Sequence, residues 1–272
     1  MWIGLSQLDF VHKLVEYDIA EVAKKLESLR EKITGAGLIA NITGNALNTA
    51  GTQLAQRFSR FGPPIARGCA LAAADKKPSA EVYASASLQV GFAAMTLTAA
   101  PFDTPQQLAE TILAHKLSTG ALWEDIRMKG GAYGAFVNSD SLENCVSFAT
   151  YRDPTPTRSL EAISAILKNN SHGNCTEADL VKTIIGCYAK ETRPRTSAEN
   201  GLIDFYRFLY GVDDSYRQRK LGRLVSVLTS DIAAAFSSLG SRKAFGPVII
   251  AGVKKAEKAA KALGTEAQML PV

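Results

Sequence analysis

The chain predicts an α+β fold, a mainly antiparallel sheet with helices packed on one face. Strand-like and helix-like stretches come in runs and do not alternate one for one, which argues against a parallel βαβ array. Over 104–127, Leu108, Ile112, Leu113, Leu117, Leu122 and Ile126 recur at helical spacing, an apolar stripe that has to lie on a sheet. Residues 82–102 carry no charged side chain, yet Ser85, Ser87, Gln89, Thr96 and Thr98 and the Val82/Ala84/Ala86 alternation mark buried strands and not a membrane span.

Composition sets wide limits. With 272 residues, 46% hydrophobic and 21% charged, the chain can bury a core as one large domain or two small ones, and disorder or a coiled coil is excluded. The formal charge of +5 raises the question of nucleic acid. The basic groups (Arg217, Arg219, Lys220 and Arg223; Lys254, Lys255, Lys258 and Lys261) read as the wet faces of amphipathic helices, so no nucleic-acid partner is expected. Cys69, Cys145, Cys175 and Cys187 are scattered, which fits reduced thiols. No signal peptide or membrane segment is evident, which favours a cytoplasmic location without a membrane partner.

In chain order, residues 5–33 read as a helix with Leu8, Val11, Leu14, Val15, Ile19, Val22 and Leu26 inward and Lys24, Lys25, Glu27, Arg30 and Glu31 outward. With no partner of its own, it looks like the last element of something preceding it. Residues 37–44 read as a short apolar strand, 45–61 as a helix ended by Gly62, Pro63 and Pro64, and 65–79 as a loop. Strands follow over 80–87 and 89–98, then the 104–127 helix. Strands over 132–137 and 145–151, joined by a turn at 138–144, form a hairpin. Helices are expected over 157–168, 176–190 (with Thr176 as cap), 197–210, 214–227 and 229–239, a strand over 247–252 and a closing helix over 253–263.

The stretch 122–134, LWEDIRMKGGAYG, is where this organisation meets chemistry. Arg127 falls in the last helical turn, Gly130 and Gly131 stop the helix, and Tyr133, Ala135 and Val137 share one side of the strand that follows. A guanidinium fork and a phenol converging there suit gripping a carbonyl oxygen or an oxyanion. From spacing alone the alternative stays open, with Arg127 capping helix carbonyls and Tyr133 a half-buried strand aromatic.

Stand-alone catalytic machinery is missing. His12 has Glu16 four residues on but no second histidine to complete H-x-x-E-H, His115 lies in a helix, and His172 with Cys175 makes an H-x-x-C without further ligands nearby. No G-x-S-x-G elbow or Walker-type loop is present. The glycines of KGGAYG leave a helix, whereas a phosphate cradle leads into one. The N-x-S/T triplets at Asn41, Asn169 and Asn174 would matter only in a secreted chain.

LWEDIRMKGGAYGAF, followed after a turn by FATYRDP, resembles the C-terminal half of the pitrilysin/insulinase-type zinc metallopeptidases, in particular the presequence-protease branch, where I-R-x-x-G-G-A-Y-G and S-Y-R-D-P segments occur in this order. The resemblance extends more loosely over nearly the whole chain. Thr150 stands where the family tends to have Ser. It implies a bipartite enzyme whose two halves of similar fold close a chamber around a peptide substrate. Zinc sits on an H-x-x-E-H motif in the N-terminal half, which here would be the missing partner, and no metal or cofactor is expected in this chain. Residues 1–33 become the terminal helix of a preceding domain and 34–272 the C-terminal metallopeptidase-like domain. Carried over by motif, Arg127 and Tyr133 are the residues that reach the substrate and its transition state. The alternative is a non-catalytic protein-interaction domain of the same fold, and the presence of both Arg127 and Tyr133 favours the peptidase.

Overall fold

The computed structural model describes residues 7, 10–45, 47–62, 79–242 and 244–270. The described helices are α1 Ile19–Gly35, α2 Leu47–Arg57, α3 Pro105–Thr119, α4 Pro156–Lys168, α5 Glu177–Thr192, α6 Ser197–Tyr210, α7 Asp214–Leu224, α8 Thr229–Ser241 and α9 Val253–Leu263. The described strands are β1 Glu81–Ser85, β2 Phe92–Thr98, β3 Gly134–Asp140, β4 Cys145–Tyr151, β5 Val248–Gly252 and β6 Ala267–Met269. Contacts divide the chain into two compact units, one of residues 1–75 with 194–213 and the other of residues 76–193 with 214–272. These limits differ from the 33/34 boundary read from the sequence.

The larger unit holds the sheet, in the order β3-β4-β2-β5-β1-β6. The pairings β3/β4, β4/β2 and β2/β5 are antiparallel, while β1 pairs parallel with β5 and with β6. The α+β class and the mainly antiparallel sheet are therefore as expected, with a parallel edge that strand patterns do not reveal. Alternation sorts the faces. Ala93, Met95 and Leu97 of β2, Val146 and Phe148 of β4 and Ile249 of β5 are buried, and they meet Leu108, Ile112, Leu113 and Leu117 of α3 and Ile232 and Phe236 of α8 in one apolar core. Their neighbours, such as Phe92, Phe136, Ser147 and Tyr151, lie on the other side and are half-buried or exposed. The charge-free 82–102 stretch is β1 and β2, and no single helix among the described residues is long and apolar enough to cross a membrane.

Two polar clusters fix the N-terminal part of α3. Thr104 caps it by accepting from Gln107 N–H at 3.3 Å, with Pro105 in the first turn. Asp103 stands just before with φ 58° and pairs with Arg219 at 2.8 Å and Arg223 at 2.7 Å. The hydrogen bond from Arg219, helped by Arg223, holds its carboxyl below the usual carboxylate range. One turn into α3, buried Glu110 accepts from Ala100 N–H at 2.8 Å and from the Arg242 guanidinium, which also donates to Thr98 O at 2.6 Å. This satisfies a buried carboxylate.

The helix expected over 104–127 is not continuous. It ends at Gly120, whose φ of −115° and ψ of −103° leave helical space, and a wider π-helical segment Trp123–Met128 takes over. The five-residue step from Leu117 to Leu122 keeps both side chains in the core across this break. The strand expected at 132–137 begins later, at Gly134, and β6 is too short for a sequence signal.

In the smaller unit the helix expected over 5–33 is interrupted. Residues 10–13 are helical, Leu14–Glu16 form a 3₁₀ turn, and α1 restarts after Asp18, whose side chain accepts from Ala20 N–H at 2.9 Å. Leu8 lies outside the described residues. Of the stripe expected to face inward, Leu14 and Val22 are half-buried, whereas Val11, Val15, Ile19 and Leu26 are exposed, because no described element of this unit covers them. Residues 37–44 are not a strand, and among the described residues of this unit no strand offers an edge to pair with. The segment lies against α6 instead. Asn41 Nδ2 donates to Gly201 O at 3.1 Å, and a β-carbon at Gly201 would run into the Thr43 side chain. The loop expected at 65–79 falls almost wholly outside the described residues.

Candidate functional site

The sequence 122–134 folds into a tight junction between the π-helical segment and β3. Lys129 N–H bonds Glu124 O at 3.0 Å, the wide spacing of a π-turn, and Gly131 N–H bonds Arg127 O at 3.0 Å. Ala132 N–H then returns to Ile126 O at 3.2 Å, so the chain leaves the helix and enters the strand within one hydrogen-bonded loop. Both glycines are required. A β-carbon at Gly130 would sit 2.4 Å from Ile126 O, and Gly131 has φ +76°. Ile126 and Ala132 are buried on either side and anchor the loop in the core.

Arg127 and Tyr133 stand at the two ends of this loop, and both side chains are exposed. The Arg127 guanidinium and the Tyr133 hydroxyl make no hydrogen bond or ion pair with the described residues, so their donors are available. The capping role for Arg127 is therefore not what its side chain does. Alternation from the sequence puts Tyr133 on the side of Val137, but Tyr133 lies in a bend before β3 begins. There it is 66% exposed and its ring turns to Tyr151 on the open face of the sheet, centroids 5.9 Å apart at 71°.

Sequence reasoning named FATYRDP as a motif but gave its residues no role, and the structure puts them beside Tyr133. Tyr151 pairs with Gly134 in the β3/β4 register, its ring meets Phe92 at 5.7 Å, and the Arg152 guanidinium carbon lies 5.7 Å from the ring centroid. Arg152 has φ 47°, and its carbonyl accepts from Tyr133 N–H at 3.3 Å. Asp153 closes the start of β2 by exchanging backbone hydrogen bonds of 2.7 Å with Gly91, while its side chain accepts from Thr155 N–H at 2.8 Å. The signal that could have found this cluster is hairpin geometry, but β3 runs on to Asp140, and it is the tighter turn at 141–144 that brings residue 151 opposite residue 134, whereas the turn read over 138–144 puts it opposite 131.

Among the described residues no group of three or more His, Cys, Asp or Glu side chains could hold a metal ion. His12 and Glu16 are exposed. His115 Nδ1 stands 3.0 Å from Lys190 Nζ, and the carbonyl of His172 accepts from Lys116 Nζ at 2.7 Å. Burial pushes the Cys175 thiol up, away from the thiolate a metal would want.

Comparison with known proteins gives one family match, to the model described as PreP C-terminal domain, over residues 89–253. The mitochondrial presequence protease of Schizosaccharomyces pombe is 26% identical over 85% of this chain and 24% of its own length. Presequence protease 1, chloroplastic/mitochondrial, of Arabidopsis thaliana is 26% identical over 84% of this chain and 22% of its own length. The chain thus spans about a quarter of the length of these curated relatives. In fold it is similar to the crystal structure of pitrilysin, with a TM-score of 0.61 at 15% identity, over 89% of this chain and 27% of that one.

Proposed function

Because this chain belongs to the PreP C-terminal domain family, we propose that it is the metal-free part of a zinc endopeptidase in which Arg127 and Tyr133 grip the scissile carbonyl of a peptide substrate. Its partner in this reading is an N-terminal, zinc-bearing half of the same enzyme, and the two close a chamber around the peptide. Residues 1–33 are then the tail of a preceding domain and 34–272 the C-terminal domain. The described residues do not fit a metal, and the reading assigns them none.

One observation supports it above the others: two exposed donor side chains without hydrogen-bond partners among the described residues stand at the ends of a loop whose course only glycine permits at 130 and 131. A planar fork and a phenol O–H can both point at one oxygen, and their hydrogen bonds strengthen as a carbonyl gathers negative charge on its way to a tetrahedral intermediate. That gain is confined to the transition state, so it raises turnover more than it tightens substrate binding.

The test is reconstitution. The purified chain alone is expected to carry no stoichiometric zinc by elemental analysis and to leave peptides intact, and the chain combined with its zinc-bearing half to hydrolyse them. Chelator-sensitive cleavage by the chain alone, or a combined pair that stays inactive, would overturn the assignment.

A further inference from the structure

We propose that Tyr151 is the positioning residue for Tyr133, its ring holding the Tyr133 phenol at the angle from which the hydroxyl meets a substrate carbonyl. The inference rests on the assignment of Tyr133 as a donor to that carbonyl. Tyr133 precedes β3, the edge strand of the sheet, so it has a strand neighbour on one side only. Its backbone is pinned through N–H to Arg152 O at 3.3 Å, but its side chain is 66% exposed and its hydroxyl bonds to no described residue. A tyrosine in that situation is free to swing among staggered wells, and each places the hydroxyl in a different direction. Among the described residues the ring contact that selects one well is the edge-to-face packing against Tyr151.

Tyr151 is built to be the fixed member of the pair. It is the last residue of β4, an interior strand paired on both sides, and it faces Gly134, which has no side chain to interpose. Phe92 packs edge-on at 5.7 Å from β2, and the Arg152 guanidinium carbon stands 5.7 Å from the ring centroid. Arg152 reaches that place through a left-handed backbone, φ 47°, which costs a non-glycine residue energy that the surrounding pairing has to offset. The same Arg152 carbonyl holds the Tyr133 backbone, so one residue ties together the two tyrosines. Tyr151's own hydroxyl makes no hydrogen bond with a described residue, so its contribution comes from the ring.

The experiment is a double-mutant cycle in the enzyme assembled with its zinc-bearing half, using a fluorogenic peptide. Tyr151→Phe keeps the ring and should retain kcat within about twofold. Tyr151→Ala removes it and should lower kcat roughly tenfold with KM nearly unchanged, since misplacing a reacting group costs turnover more than binding. In a Tyr133→Phe background, Tyr151→Ala should cost almost nothing further, because there is no hydroxyl left to place. Tyr151→Leu, of comparable apolar bulk, guards against simple loss of fold and should match Tyr151→Ala in kcat while melting near the parent. Full additivity in the cycle, or a KM effect with unchanged kcat, overturns the positioning role and leaves the Tyr133 assignment intact. Unchanged kcat for Tyr133→Phe alone removes both.

Discussion

Gly130 lies directly under the carbonyl of Ile126, so close that a β-carbon there would stand 2.4 Å from the oxygen. That oxygen also accepts the N–H of Ala132, the bond that turns the chain from the π-helical segment into β3. Gly130→Ala should therefore break the turn and not merely strain it, with a cost of about 1–3 kcal/mol. On the proposed role of Arg127 and Tyr133, both carried on this loop, the enzyme assembled with its zinc-bearing half should lose more turnover than the loss of fold explains. Urea unfolding of the variant beside its kcat below the transition separates the two effects, and a stable, fully active Gly130→Ala would contradict the geometry.

Glu110 and Arg242 make a different kind of prediction, because their pair lies in the core and not in the site. The Glu110 side chain is 1% exposed and that of Arg242 15%. Removing one partner leaves a buried charge unanswered, so Arg242→Met should cost about 3–5 kcal/mol. Replacing both, Glu110→Leu with Arg242→Met, should recover part of that loss, as the desolvation penalty disappears with the charges. The recovery will be incomplete, since Ala100 N–H and Thr98 O each lose a partner. Denaturant midpoints of the three variants measure this directly, and equal losses for single and double variants would refute it.

His115 gives the chain a pH dependence. Burial, and then the nearby charge of Lys190, hold its pKa below the ordinary 6.5. The unfolded chain thus binds a proton on this residue at a pH where the folded chain does not. Stability from the neutral imidazole is in full force above 6.5 and is lost as pH falls through the lower, folded value. The ring packs against Gly186, where a β-carbon would come within 2.4 Å of Nε2, so there is little room to escape into solvent. His115→Gln should flatten the slope of melting temperature against pH on the acid side of 6.5. A slope identical to the parent's would show that other groups produce it.

Much of this is legible in the sequence alone. The β3/β4 hairpin announces itself because Cys145–Tyr151 alternates and a polar turn precedes it, both local signals. Among the helices from α4 to α9, α5 and α6 carry side-chain caps at Thr176 and Thr196, and apolar residues recur at helical spacing. What could not be read depends on distant partners. Residues 37–44 are apolar enough for a strand, but strand identity needs an edge to pair with, and α6 occupies that place. The parallel β1/β5/β6 edge joins residues more than 150 positions apart, which no periodicity encodes. At the site, the residue types of Arg127 and Tyr133 and their glycine hinge were visible. The side Tyr133 takes was not, because strand alternation was extended one residue past the point where the strand begins.

Tyr133→Phe in the assembled enzyme is the sharpest question that can be put to the site. It removes one oxygen, leaves the ring that packs on Tyr151, and deletes no hydrogen bond to a described residue. Stability should therefore stay at the parent's value. If the hydroxyl donates to the developing oxyanion, kcat should fall by roughly 10 to 1000-fold, in the range typical for losing one such donor, with KM little changed. Arg127→Lys keeps the charge but replaces a planar fork by a single ammonium, so it should also lose turnover without losing fold, since the Arg127 side chain bonds to no described residue. Were the two side chains only structural, the pattern would invert: melting temperature would drop while activity per folded molecule held. Steady-state kinetics and thermal unfolding on the same preparations distinguish these outcomes, and an unchanged kcat for Tyr133→Phe would take Tyr133 out of the mechanism.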